Sequence, residues 1–259
     1  MLSSTFVHIP GIGDQTERKL WEQGIGNWSA FLENAKNLAL SDKRRQSWTD
    51  HIRQSIDHLH RKDATYFAHT LPAREHWRCY PDFSQILFLD IETTSSYDGN
   101  QITMVGTYDG TTYRPYIDDW RAEHFGCKTI DELENDLVAY DVVVTFFGSG
   151  FDLPILQRSF HNLQLPPIHI DLCHLLRRLG YRGGLKAIER KLDLMRSPET
   201  RTLTSADAPL LWTHYQRGNQ EALRVLLRYN EEDVVNLAPL LKFACGTMQR
   251  QLKNGKEKC

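Results

Sequence analysis

The sequence lacks paired cysteines, long apolar runs and a large excess of either charge. Its five cysteines are scattered and none is spaced as Cys-x-x-Cys, which argues against a disulfide framework or a structural zinc site. No run approaches the ~18 apolar residues of a membrane span, and residues 1–10 lack the basic start and apolar stretch of a signal peptide. These absences predict a cytoplasmic protein with reduced thiols and no membrane partner.

Charge is nearly balanced over the 259 residues, with a net value of −2, so the molecule as a whole does not attract nucleic acid by charge alone. The distribution is uneven, because eight basic and three acidic residues lie between His174 and Arg201. This basic segment predicts a surface that faces phosphates, and a solvated helix face explains it equally well. Its basic residues are Arg177, Arg178, Arg182, Lys186, Arg190, Lys191, Arg196 and Arg201.

The pattern of polar and apolar residues divides the chain into a helical N-terminal region, residues 1–83, and an α/β domain, residues 84–259. In the second region, apolar strand patterns alternate with amphipathic helical ones. Polar turns at Asp98-Gly99 and Asp109-Gly110 predict that the first three strands form an antiparallel meander. The expected strands are 85–91, 102–108, 111–117, 142–147 and 168–172. We therefore predict a mixed five-stranded sheet, with three antiparallel strands followed by two parallel ones, flanked by helices.

Two acids stand at the end of the first predicted strand. Asp90 and Glu92 are two residues apart, and because side chains alternate along a strand, both leave the same face. Adjacent carboxylates repel each other, and burying them is costly without a cation. A divalent metal resolves that conflict, while a strand that simply ends in solvated acids is the alternative.

Two further acids occupy helical positions. Asp152 follows the small-residue turn 148–150 and falls in the first turn of a helix, where the helix dipole favours an anion. Asp233 lies four residues after Tyr229 on a late helix, so the two share one face. A phenol beside a carboxylate could position or deprotonate a water. Taken singly, Asp152 is better explained as an ordinary acid at a helix N-terminus, and Asp233 as a residue of an acidic surface helix.

Together these motifs resemble the DEDD (DnaQ-like) exonuclease superfamily, tyrosine subtype (DEDDy), and most closely its YprB-like ribonuclease H branch. The resemblance covers roughly residues 77–240. It implies a ribonuclease H-like fold and a 3′–5′ exonuclease that acts on the 3′ ends of DNA or RNA. The matching segments are FLDIETT (88–94), GFDLPIL (150–156), HIDL (169–172) and YNEED (229–233).

The resemblance also implies a two-metal mechanism with Mg²⁺ or Mn²⁺, cations that carboxylate ligands favour. By this resemblance Asp90 bridges both ions. Glu92 and Asp233 hold the ion that binds the attacking water, and Asp152 helps to hold the other. Tyr229 orients the attacking water.

Substrate contacts are expected at four further positions. The resemblance places Thr93 against the terminal nucleotide and Phe151 beside the site, although a place in the hydrophobic core is the stronger expectation for Phe151. Arg182 and Lys186 flank Gly183-Gly184, and glycines before a helix can approach a phosphate. A plain turn is the alternative for that glycine pair.

The sequence leaves open the roles of two residues, Asp171 and Phe147, that belong to or precede the matching segments. Asp171 ends a predicted strand, so it is either a site residue or the N-cap of the following helix. Members of the branch usually have Asn five residues before the Asp that corresponds to Asp152, and this chain has Phe147 at that position. That replacement removes an amide and no metal ligand, so we expect it to affect substrate contacts more than activity.

The N-terminal segment, about residues 5–40, resembles a helix-hairpin-helix. Its Gly11-Ile12-Gly13 turn would present backbone N–H groups to a phosphate, although Glu17 stands where a small residue is usual. A hairpin with a purely structural role fits as well, and Trp21 and Trp28 are expected in the core.

Three functions are consistent with the sequence. An exonuclease that trims the 3′ ends of single-stranded DNA or RNA agrees with the complete set of four carboxylates and the tyrosine. A nucleic-acid-binding module with a silent nuclease fold and a ribonuclease H-like endonuclease are the alternatives.

Overall fold

One mixed sheet lies at the centre of the second part of the chain. A computed structural model describes residues 1–94 and 101–253, so the predicted turn at Asp98-Gly99 and residues 254–259 lie outside the described residues. The chain divides into two compact units, Gln85–Thr247 and a unit that joins Met1–Ser84 to the chain from Met248 onward. Each unit is described by itself.

The sheet has five strands in the order β3-β2-β1-β4-β5. Strand β2 pairs antiparallel with both β1 and β3, whereas β4 pairs parallel with both β1 and β5. The predicted mixed sheet, with three antiparallel strands and then two parallel ones, is therefore confirmed. The strands are β1 Ile86–Thr93, β2 Ile102–Tyr108, β3 Tyr113–Tyr116, β4 Val142–Thr145 and β5 Ile168–Asp171.

Helices cover both faces of the sheet. On one face, the odd-numbered residues of β1 pack into a core that includes Leu133 and Leu156. The other face carries the even-numbered residues, as expected from the alternation of side chains along a strand. The helices of this unit are α5 Ile130–Leu137, α6 Asp152–Ser159, α7 Leu172–Arg178, α8 Leu185–Lys191, α9 Ala208–Gln216, α10 Gln220–Val235 and α11 Leu237–Lys253, the last of which extends into the other unit.

The late helix that was predicted to carry Tyr229 and Asp233 is followed by a break in the structure. Helix α10 ends at Val235, and α11 begins at Leu237 with Pro239 in its first turn. Proline has no N–H to donate to the carbonyl four residues earlier, and its ring clashes with that carbonyl. Pro239 therefore favours a break at this point, and the site residues of the late helix all lie on α10.

The N-terminal unit is helical, with α1 Asp14–Glu22, α2 Trp28–Asn34, α3 Asp42–His60 and α4 Ala64–Thr70. Its interior holds an ion-pair cluster, because Arg78 bonds Glu17 (2.8 Å) and Glu75 (2.6 Å) with all three side chains almost fully buried. Glu17 also accepts the N–H of Phe6 at 2.6 Å. The buried cluster explains why an acid stands at position 17. Trp28 lies in the core as expected, while Trp21 is only half-buried.

Within the described ranges, 1–94 and 101–253, no helix combines the length and the apolar character needed to cross a membrane.

Candidate active site

Three carboxylates from distant parts of the chain meet on one face of the sheet. Asp90 and Glu92 leave the same face of β1, and Asp233 reaches them from α10. Each offers one oxygen, and the three oxygens lie within 4.8 Å of one another. Glu92 and Asp233 are buried, whereas Asp90 is partly buried. This set of closely spaced oxygens is suited to a hard divalent cation.

The fourth predicted acid, Asp152, lies against the same strand. It is the first residue of α6, and its Oδ1 accepts the N–H of Ile91 at 3.1 Å. Strand β4 pairs with β1 only from Ile86 to Phe88, so the N–H of Ile91 lies beyond the end of that ladder. Asp152 thus satisfies an unpaired strand donor that lies between Asp90 and Glu92.

The four acids all have raised pKa values. Burial raises the pKa of Asp90 well above its usual value, and repulsion from Asp152 adds to the effect. Burial likewise raises the pKa of Glu92 to about 8, that of Asp152 to about 7 and that of Asp233 to about 6. Without a cation the cluster therefore binds protons, and an all-oxygen donor set of this charge fits Mg²⁺ or Mn²⁺.

Asn230 ties the two acids of β1 to α10. Its Nδ2 donates to Asp90 Oδ2 (3.1 Å) and Glu92 Oε1 (3.3 Å), and its Oδ1 accepts the hydroxyl of Tyr113 at 3.0 Å. Gly106, which pairs with Asp90 across the sheet, makes room for this amide. A Cβ at position 106 would lie only 1.6 Å from Asn230 Oδ1. The glycine and the buried amide therefore depend on each other.

A guanidinium holds the third acid. Arg196 donates from Nη2 to Asp233 Oδ1, and it forms a two-point pair with Glu189, with both contacts at 2.7 Å. Asn236 donates to the same Glu189 at 2.9 Å. Arg196 and Glu189 are both nearly fully buried. Asp233 thus has one oxygen bonded to a cationic side chain and a second that can face a metal.

Tyr229 lies one helical turn before Asp233, and cations lie near its ring. Lys186 Nζ lies 4.1 Å from the ring centroid and Arg196 Cζ lies 5.9 Å from it. Burial raises the pKa of Tyr229, and the negative charge of Asp233 raises it further. The phenol therefore stays protonated, so of the two roles open to it from the sequence, positioning a water is favoured over deprotonating one.

The turn between β4 and α6 is held by Asp171. Its carboxylate accepts the N–H groups of Phe147 (2.9 Å), Ser149 (3.1 Å) and Cys173 (3.0 Å). Asp171 is thus the N-cap of α7, and it anchors the turn that leads to Asp152. Of its two possible roles, the cap is the one that its contacts support.

The four expected substrate residues are placed differently. Thr93 ends β1 just after a bulge and is half-buried. Phe151 is 37% exposed, which contradicts a role in the core. Lys186 lies over the Tyr229 ring and donates to the carbonyl of Leu203. Arg182 is exposed before α8, and among the described residues no hydrogen bond or ion pair joins its side chain to the carboxylates.

Three residues of this site were not identified from the sequence: Asn230, Arg196 and Glu189. Asn230 lies inside the YNEED segment, and its position next to Tyr229 was the available signal. In the sequence, Arg196 is one of the eight basic residues between His174 and Arg201, and Glu189 is one of the three acids among them. Their pairing depends on the path of the chain after α8, which sequence periodicity does not predict.

Comparison with known proteins gives a family and a similar structure. A family model described as the RNase_H superfamily matches residues 87–245, more than half of the chain. Among solved structures, the chain is similar to the family B DNA polymerase from the hyperthermophilic archaeon Pyrobaculum calidifontis, at 15% identity and a TM-score of 0.44. That match covers 64% of this chain and 24% of the polymerase chain, so this chain spans about a quarter of its length. No curated protein matches the sequence.

The raised pKa values predict how pH changes stability in the absence of metal. The folded site retains protons that the unfolded chain releases at its lower pKa values, so this stabilisation is present below about pH 4 and is lost as pH rises through 6 to 8. We expect the wild-type unfolding temperature in EDTA to fall from pH 5 to pH 8 more steeply than that of Asp90→Asn. Added Mn²⁺ is expected to stabilise the wild type more at pH 8 than at pH 5.5. Equal pH slopes for the two proteins would contradict this electrostatic account.

Because Arg196 bonds Asp233, we predict that removing its guanidinium weakens metal binding. The double substitution Glu189→Gln with Arg196→Gln removes one charge of each sign and leaves Asp233 without its guanidinium partner. Residues that orient a metal ligand typically contribute about 10–100-fold to metal affinity. We expect calorimetric titration with Mn²⁺ to show binding weaker by about tenfold, with an unchanged circular dichroism spectrum. Tighter binding would show instead that Arg196 competes with the cation.

Proposed function

The chain belongs to the RNase H superfamily, and from this premise we propose that it is a divalent-metal-dependent 3′–5′ exonuclease of the tyrosine-subtype DEDD class, related to the YprB-like branch. One observation carries the proposal: Asp90, Glu92 and Asp233, expected to form a metal site from separate motifs, offer oxygens within 4.8 Å of one another. Asp152 supports it, because its carboxylate bonds the backbone between the first two acids.

In this proposal, Asp90, Glu92, Asp152 and Asp233 hold two Mg²⁺ or Mn²⁺ ions. When bound, these ions supply charge neutralisation at the phosphodiester, a more acidic water and stabilisation of the leaving 3′ oxygen. The protein prepares the ligands, since Asn230 orients the carboxylates of β1 and Arg196 orients Asp233.

Tyr229 and Lys186 have separate tasks in the proposed reaction. The protonated phenol of Tyr229 donates a hydrogen bond that positions the attacking water. Lys186 lies over the Tyr229 ring, where its charge would attract a substrate phosphate. Burial lowers the pKa of Lys186, which is the expected direction for an ammonium group removed from water.

The substrate in this proposal is the 3′ end of single-stranded DNA or RNA. Thr93 would contact the terminal nucleotide and Phe151, exposed beside Asp152, would contact a base. Arg182 would attract the phosphate backbone from the rim of the site. We also keep as proposals the cytoplasmic location, the division at residues 83 and 84, and phosphate binding by the helix-hairpin-helix-like segment.

A second candidate function has an observation in its favour. The guanidinium of Arg196 already bonds Asp233, and a cationic side chain at a ligand can take the place of a metal ion. A nucleic-acid-binding module with a silent site would have this feature. The two candidates differ in whether the purified protein releases nucleotides.

The nuclease proposal predicts metal-dependent trimming from one end. With 3′- and 5′-labelled single-stranded DNA and RNA, we expect Mg²⁺ or Mn²⁺ to support stepwise loss of 3′ nucleotides and no cutting of circular DNA. Internal cuts in circular DNA would indicate an endonuclease. No release with either metal, combined with retained oligonucleotide binding, would favour the silent module.

A matched pair of variants on α10 tests the site. Asp233→Asn removes a carboxylate of the cluster, whereas Glu231→Gln removes a nearby acid whose partner is Arg228, at 2.9 Å. A metal ion contributes several kcal/mol to such reactions, and 1.36 kcal/mol is a factor of ten. We therefore expect Asp233→Asn and Asp90→Ala to lower the rate by roughly 100-fold or more, with the fold intact by circular dichroism, and Glu231→Gln to retain it. Equal activity of Asp233→Asn and Glu231→Gln would refute the site assignment.

A further inference from the structure

Phe147 has a backbone conformation that a bulky side chain rarely adopts. Its φ is 65°, in the left-handed region, which it shares only with Lys62 and Asp193 among the non-glycine residues that the structure describes. For residues with a Cβ this region is unfavourable, and bulky side chains in it are genuine outliers. Such strain persists only where the surrounding structure enforces it, often at functional sites.

The surroundings of Phe147 do enforce it. Asp171 accepts the N–H of Phe147 at 2.9 Å and also bonds both the N–H and the hydroxyl of Ser149. A Cβ on Gly148 would lie 2.2 Å from Thr145 Oγ1, and a Cβ on Gly150 would lie 2.8 Å from the Phe147 ring. The two glycines therefore let the turn close and let the ring lie over the backbone at Gly150.

The Phe147 ring is nevertheless not buried in the hydrophobic core. Phe147 is 47% exposed, and Phe151, next to Asp152, is 37% exposed. A strained residue with an exposed apolar ring gains little from burial, so packing does not explain its conformation.

The polar and basic residues of α7 indicate what the ring meets. The His174 ring lies 6.4 Å from that of Phe147, and its side chain is half exposed. His174 belongs to α7, whose last turn carries Arg177 and Arg178. Aromatic rings combined with cationic side chains are the usual elements of surfaces that bind single-stranded nucleic acids, where bases stack on the rings and cations face the backbone.

We propose that Phe147 is a stacking platform for an unpaired nucleobase, so that the protein selects single-stranded 3′ ends. This inference rests on the proposed function. The strained turn holds the ring at a fixed place five residues before Asp152, and a base stacked there would place the strand beside the carboxylates. A base in a duplex is already stacked on both faces, so duplex ends are poorer ligands.

The test compares substitutions that separate strain from stacking. Phe147→Asn relieves the strain, because Asn tolerates the left-handed region, and removes the ring. Phe147→Trp keeps an aromatic surface. We expect Phe147→Asn to raise the unfolding temperature and, with EDTA present, to weaken binding of a fluorescent single-stranded oligonucleotide about tenfold or more. Phe147→Trp should bind as the wild type does.

Oligonucleotides that lack one base near the 3′ end identify the contact. The oligonucleotide that lacks the base stacked on Phe147 should bind the wild type about tenfold more weakly than the intact oligonucleotide does. For Phe147→Asn, removing the same base should cause no further loss of affinity. If Phe147→Asn binds like the wild type, or loses the same factor on every abasic oligonucleotide, the stacking inference is wrong while the proposed nuclease stands. A wild-type protein that neither binds nor trims any oligonucleotide would overturn both.

Discussion

The structure depends on the repulsion among four carboxylates: Asp90, Glu92 and Asp233, which meet on one face of the sheet, and Asp152, which bonds the same strand. Burial raises the pKa values of all four, and repulsion from neighbouring acids of the cluster adds to the effect at Asp90, Glu92 and Asp152. The fold thus retains an arrangement that is unfavourable unless protons or cations balance it. Such an arrangement contributes little to the stability of a fold by itself. It is understandable as a site prepared for divalent cations, which is the premise of the proposed hydrolysis.

Polar partners hold the acids in place against this repulsion. Asn230 bridges Asp90 and Glu92, and the paired Arg196 and Glu189 hold Asp233. Each partner uses one oxygen of the acid that it binds. The chain thus limits the freedom of its ligands before any ion arrives, which reduces the reorganisation needed for binding. The close approach of Asn230 also requires glycine at position 106, so one backbone position in β2 is tied to the chemistry of β1 and α10.

The approach to the site differs from its interior in composition. The ligand cluster is almost wholly polar, whereas Phe147 and Phe151 expose aromatic rings on either side of the turn that leads to Asp152. Asp171 serves this turn instead of the metal cluster, because its oxygens are engaged by backbone N–H groups and by the Ser149 hydroxyl. One acid of the resembled family pattern thus orders the surface that a substrate would cross, while the others form the centre.

Sequence alone determined the mixed sheet, the placement of Asp90 and Glu92 on one face, and the shared face of Tyr229 and Asp233, because these follow from the fixed periodicities of strands and helices. The tertiary structure alone decided the partners of the acids. Asn230 and Arg196 acquire their roles from contacts over 140 and 37 residues of chain, which no local pattern encodes. It also corrected Phe151, since the same apolar residue fits a core or a surface until the packing around it is known. The regular geometry of strands and helices thus specified which side chains share a face. Only the tertiary structure determined which residues surround those side chains and which charged groups they contact.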